Sequence, residues 1–198
     1  LDLGPVAHHR REGLHEAGPG AAGRDDVEQG VVLRGGGGPR RYRPAHPMKT
    51  ATTSFGTPDG AARIRASFAR QGAMATIGAT LEAVEPGYCA IALVPRPEVA
   101  QQHGYVHAGV VSAIVDTAGG YAGYTLFPAG SSVLTVEFKV NLLAPAAGDR
   151  LVAEGFVVKP GRTLCITRGE VHAEHGGKRT LVAIMQQTLM VMHGKDDA

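Results

Sequence analysis

From Pro58 onward the hydrophobic and polar positions of this chain fall into short regular stretches, and each stretch predicts an element. Over residues 60–71 (GAARIRASFARQ), Ile64, Phe68 and Ala61 share one face at helical spacing, with Arg63, Arg65 and Arg70 around it. This predicts a short amphipathic helix with a solvated basic face. Residues 75–83 and 88–94 are strand-like runs parted by Val84-Glu85-Pro86-Gly87, whose Pro-Gly pair signals a turn, so they predict a hairpin. Pro95 and Pro97 end the second strand. Residues 101–127 (QQHGYVHAGVVSAIVDTAGGYAGYTLF) are polar and glycine-rich up to Gly109, then almost wholly small and apolar, which predicts a buried helix starting near Ala108. After Pro128-Ala129-Gly130, four strands are predicted at 132–143, 150–159, 163–174 and 179–192. They are separated by Pro145-Ala146-Ala147-Gly148, Pro160-Gly161 and His175-Gly176-Gly177. The order is helix, hairpin, long apolar helix and four strands in an up-and-down series. It predicts an α+β fold in which one antiparallel sheet of about six strands wraps around a single long central helix.

Residues 1–47 carry no such pattern. They hold ten Gly, five Pro, seven Arg and no Lys, with the run Gly35-Gly36-Gly37-Gly38, and no amphipathic period can be drawn through them. A disordered tail is expected there; the arginine-only basic content, with Met48 as the first methionine, also allows translated upstream sequence foreign to the native protein. His8, His9, His15 and His46 scatter through it as solvated residues, and no chemistry is assigned to them. The domain itself is expected over 58–193, with 194–198 a polar C-terminal tail.

Composition narrows the function classes. At 198 residues, 43% hydrophobic and 19% charged, the chain is long enough for one domain with a sizeable core. Its 20 basic and 18 acidic residues form no basic stripe, and neither end carries a helix-turn-helix pattern, so nucleic acid is not an expected partner. Cys89 and Cys165 each lie in an apolar run without CxxC spacing or clustered His partners, which reads as buried reduced thiols in a reducing cytoplasm, with no metal site. No basic start followed by an apolar stretch marks a signal peptide. The apolar run 108–127 approaches membrane-span length, but Asp116 and four glycines inside it argue for a core helix and against a membrane partner.

Asp116 is the one acid in that run. A lone carboxylate among apolar side chains is unfavourable unless it is hydrogen-bonded or catalytic. It lies about two turns beyond the expected helix start, where unpaired backbone N–H groups and the helix dipole favour negative charge. Gly119, Gly120 and Gly123 are read as close-packing positions, since no strand-loop-helix phosphate cradle precedes them.

Several spacings converge here. His107-Ala108-Gly109 stands where the hotdog-fold acyl-CoA thioesterases carry a His-Gly-Gly motif, Asp116 follows His107 by nine residues, Gln101 falls at the position of a preceding amide, and Thr135 matches a hydroxyl on a later strand. Residues 141–146 (NLLAPA) and 159–163 (KPGRT) match the family's strand ends and hairpin. Over about 61–192 the chain resembles this family, most closely its phenylacetate-pathway thioesterase branch. It departs at two positions: Gln101 replaces the commoner Asn, and Ala108 replaces the first Gly of the motif.

The resemblance implies hydrolysis of an acyl or aryl thioester to free acid and CoA. In that reading Asp116 is general base or nucleophile, Gln101 holds the substrate carbonyl or the water, and Thr135 orients the water or the carboxylate. His107, with the Ala108 and Gly109 N–H groups, forms the oxyanion and substrate-binding element. Acyl-CoA is then the substrate and no cofactor is needed. The resemblance also implies a homodimer or homotetramer with its site between subunits. Two other functions stay open: a hotdog hydratase or dehydratase using His107 with Asp116 for proton transfer at carbon, and a non-catalytic acyl-CoA-binding domain. So do the structural roles: Asp116 capping a partner's loop, His107 orienting its own loop, and Thr135 as an ordinary strand residue. Arg162, Lys178 and Arg179 are read as exposed hairpin charges, with CoA phosphates as the alternative partner.

Overall fold

The computed structural model describes residues 54–195; the readings for residues 1–47 and for the end of the C-terminal tail lie outside the described residues. Two short helices come first, α1 over Gly60–Ala69 and α2 over Gly72–Ile77. The hairpin β1 (Ala79–Glu85) and β2 (Tyr88–Leu93) follows, turning at Pro86-Gly87. A single 3-10 turn, Pro97–Val99, leads toward the long helix α3, Ala108–Tyr124. Four strands complete the chain: β3 (Ser131–Leu142), β4 (Arg150–Lys159), β5 (Leu164–His175) and β6 (Lys178–His193).

The six strands form one sheet in the order β1-β2-β4-β5-β6-β3, and every neighbouring pair is antiparallel. Helix α3 lies across one face, as its apolar sequence predicts. Val111, Ile114, Val115 and Ala118 are buried against inward strand residues such as Ile91, Leu151 and Leu189. Cys89 and Cys165 sit in this core as free thiols, and burial pushes their pKa values up to about 12 and about 11, so both are unreactive. No helix among the described residues is long and apolar enough to cross a membrane.

The helix lies close to the sheet because β4 carries no side chain where the two cross. A Cβ on Gly155 would fall 2.2 Å from the backbone oxygen of Ala118, a group that cannot rotate away. Gly155→Ala is therefore expected to push α3 off the sheet and destabilise the domain by about 1–3 kcal/mol, as overpacking of a filled core does. A urea unfolding midpoint unchanged from wild type would refute that.

Two expectations need correction. The first third of the strand expected over 75–83 is helix, since α2 runs to Ile77 and β1 begins only at Ala79. Arg96 stabilises that helix end by donating to the Ile77 and Thr76 carbonyls at 2.7 and 2.8 Å, a contact from nineteen residues away that no local pattern reveals. The last four strands are also not a simple up-and-down series. Only β4, β5 and β6 are; β3 pairs with β6 at the sheet edge, because β2 already occupies the side of β4 where β3 would otherwise sit.

Candidate active site

Because α3 turns its apolar stripe into the core, Asp116 falls on its flank, half-buried, beside β3 and β6. Its two carboxylate oxygens have different surroundings. Oδ1 accepts a hydrogen bond from the Thr135 hydroxyl at 2.9 Å and another from the Gln187 side-chain amide at 2.5 Å. Oδ2 accepts none among the described residues, and it is not among the sealed, unpaired polar atoms either, so it opens toward solvent. Burial raises the Asp116 pKa above the usual carboxylate range, and the hydrogen bonds from Thr135 and Gln187 pull against that rise.

Eight residues earlier, the start of α3 is held by backbone contacts. Val106 N–H donates to the Ala146 carbonyl at 3.0 Å, and His107 N–H donates to the Val99 carbonyl at 2.9 Å. His107 is extended (φ −59°, ψ 138°) and caps the helix, its Nδ1 accepting from the Gly109 N–H at 2.9 Å. That acceptor role places the imidazole proton of the neutral ring on Nε2. With Gly109 engaged, the Ala108 N–H is left without a hydrogen-bond acceptor among the described residues, pointing out of an exposed helix end.

The structure thus forms two groups from the residues singled out in the sequence: Asp116 with Thr135, and His107 with Ala108 and Gly109. Gln101 joins neither. Its Oε1 accepts from the His103 N–H at 2.6 Å within the 101–105 turn, and it makes no hydrogen bond to Asp116. Asp116 lies eight residues beyond Ala108 on one helix, so at about 1.5 Å of rise per residue the two are roughly 12 Å apart along its axis.

Sequence reading missed the residue that completes the first group. Gln187 on β6 is fully buried; its Oε1 accepts from the Thr167 hydroxyl at 2.7 Å, and its Nε2 reaches Asp116 Oδ1, the Asp116 carbonyl at 3.1 Å and the Thr135 hydroxyl at 3.1 Å. A signal was present. Gln187 and Thr167 occupy inward positions of alternating strands, in register with buried Met185 and Leu189 on β6 and Cys165 on β5. Of the hairpin cations, Arg179 is engaged by Glu154 and Glu174. Among the described residues, no cluster of His, Cys, Asp and Glu has the geometry to hold a metal ion.

Residues 103–180 match the family described as the thioesterase superfamily. A protein of Halobacterium salinarum, whose name assigns it esterase activity provisionally, is 32% identical over 118 residues, which cover 57% of this chain and 77% of that protein. The crystal structure of a thioesterase family protein from Silicibacter pomeroyi is 44% identical, superposes with a TM-score of 0.67, and covers 68% of this chain and 99% of its own. The Escherichia coli PaaI protein of the phenylacetic acid degradation operon shares the fold at 18% identity, with a TM-score of 0.62 over 69% of this chain and 96% of that one.

Proposed function

This chain belongs to the thioesterase superfamily and has its hotdog fold, and on that premise we propose that it is an acyl-CoA thioesterase releasing free acid and CoA. The observation that carries this reading is the asymmetry of Asp116, with one oxygen held by two donors and the other open. In the base route Oδ2 takes a proton from water as that water attacks the thioester carbon. The carbonyl oxygen gains the negative charge, the C–S bond breaks, and the proton passes to the departing thiolate. In the nucleophile route Oδ2 attacks the carbon itself, the C–S bond breaks and the thiolate leaves to take a proton from water, and a second water hydrolyses the resulting anhydride and regenerates the carboxylate. Either way the charge on the oxygen needs preorganised donors, and the free Ala108 N–H at a helix N-terminus is suited to that. Thr135 holds the carboxylate, and His107 fixes the helix start.

Distance supports a composite site. Donors to an oxyanion and a base at the same carbon must both lie within about 3 Å of the reacting atoms, which a separation of roughly 12 Å along one helix does not allow. Asp116 of one protomer working with Ala108 and Gln101 of a second copy removes the difficulty. The edge strand β3 supports such pairing. It is twelve residues long, has no strand beyond it among the described residues, and exposes Leu134, Val136 and Phe138, an edge that stays soluble when another copy covers it. A homodimer, able to pair into a tetramer, is the proposed assembly.

The test is release of thiol, read with DTNB, from a panel of aromatic and aliphatic acyl-CoAs. The protein's own two thiols are buried and contribute no background in the folded state. Release from at least one class supports the reading and ranks the substrates. No release from any, with acyl-CoA still binding, would replace it with a binding domain.

A further inference from the structure

We propose that Gln187 and Thr167 form a positioning relay that holds Asp116 by one oxygen and thereby sets the other toward the substrate. This rests on Asp116 being the reacting group, as proposed above.

Both residues are fully buried, at 1% and 0% exposure, in the interior face of the sheet, where an amide and a hydroxyl are unfavourable without partners. Their partners run in one direction. The Thr167 hydroxyl donates to Gln187 Oε1, which turns the Gln187 amide nitrogen toward Asp116, where it meets the carboxylate, the Asp116 carbonyl and the Thr135 hydroxyl. Rotating the Gln187 amide by half a turn would set Oε1 against Oδ1, two acceptors in contact, so this orientation keeps Oδ1 as the held acceptor and leaves any proton of the acid to Oδ2. Helix α3 makes room for the pair. A Cβ at Gly119 would fall 2.2 Å from Gln187 Oε1 and 3.1 Å from the Thr167 hydroxyl, so the glycine one turn beyond Asp116 leaves the slot the relay fills.

The relay gives the buried acid two properties. It fixes the rotamer of Asp116, so that Oδ2 rather than Oδ1 meets water or substrate. It also counters burial, keeping more of the acid ionised at a given pH, in the direction the Gln187 hydrogen bond acts.

Thr167 makes no hydrogen bond to Asp116 and so tests the relay without touching the acid. For Thr167→Val and Gln187→Leu, each confirmed as folded and of wild-type oligomeric state, we expect kcat to fall roughly tenfold while KM changes little. The acid limb of the kcat profile should move to higher pH, and Thr167→Ser should restore both. The double variant should be no worse than Gln187→Leu alone, because Thr167 acts only through Gln187. A Thr167→Val enzyme with wild-type kcat and an unmoved acid limb, or one changed only in melting temperature, would overturn the relay. If Gln187→Leu fails to fold, Thr167→Val against Thr167→Ser decides the matter alone. Failure of the proposed function looks different: thiol release would then survive Asp116→Asn.

Discussion

Asp116→Asn is expected to abolish measurable thiol release, with kcat/KM falling by about 10²–10⁴, the range that loss of a positioned base or nucleophile produces. Asparagine is the informative replacement because both hydrogen bonds from Thr135 and Gln187 end on Oδ1, which an asparagine oxygen can keep. Its NH₂ then takes the place of the open Oδ2. Packing and assembly are preserved and only the basic oxygen is lost. Stability should move the other way from activity. A carboxyl whose folded-state pKa is raised contributes stability below its unfolded pKa, and that contribution is lost as pH rises through the folded value. At neutral pH the ionised Asp116 is therefore a burden on the native state that asparagine removes, so the variant should melt at or above the wild-type temperature. In the active enzyme the same ionisation sets an acid limb displaced above the ordinary carboxylate range. Full activity of Asp116→Asn would remove the acid from the mechanism, and a variant that melts well below the wild type would overturn the stability prediction.

Ala108→Pro is expected to lower kcat by about 10²–10³, the usual consequence of deleting one oxyanion donor, while leaving the fold intact. Ala108 is the first residue of α3, where proline's missing N–H is one that the helix does not use. His107 before it is already extended, the conformation a following proline demands. The His107 cap to the Gly109 N–H stays available. The two variants together test the composite site. If Asp116 of one copy works with Ala108 of another, mixing the two inactive proteins under conditions of subunit exchange regenerates wild-type sites. Random reassortment makes half the dimers mixed, each with one intact site of two, so about a quarter of wild-type activity should return. A mixture as inactive as its components would place both groups of a working site in one chain.

Hydrophobic period and turn chemistry determined most of the architecture in advance. Alternation and Pro/Gly breaks located six strands and the start of α3 at Ala108 because these are local properties of the backbone, written within a few residues. Asp116 was conspicuous for a related reason, as an unfavourable charge in an apolar run. What local signals lacked was partnership. Whether 75–77 is helix depended on Arg96 reaching its carbonyls from across the loop, and the place of β3 depended on β2 having already paired with β4.

The site followed the same division. Asp116 is visible from its apolar run, and His107, Ala108, Gly109 and Thr135 are what the family resemblance implies, but the burial of Gln187 beneath Asp116 joins residues 71 positions apart. Strand alternation alone also sets Thr135 and Phe138 on opposite faces. An irregularity in the β3–β6 pairing between Thr135 and Glu137 brings both to the side that carries Asp116, with Thr135 opposite Leu189 and Phe138 opposite Gln187. The chain specifies its elements by local period; which oxygen of Asp116 is held and which is open is decided by strands that meet only after the sheet has formed.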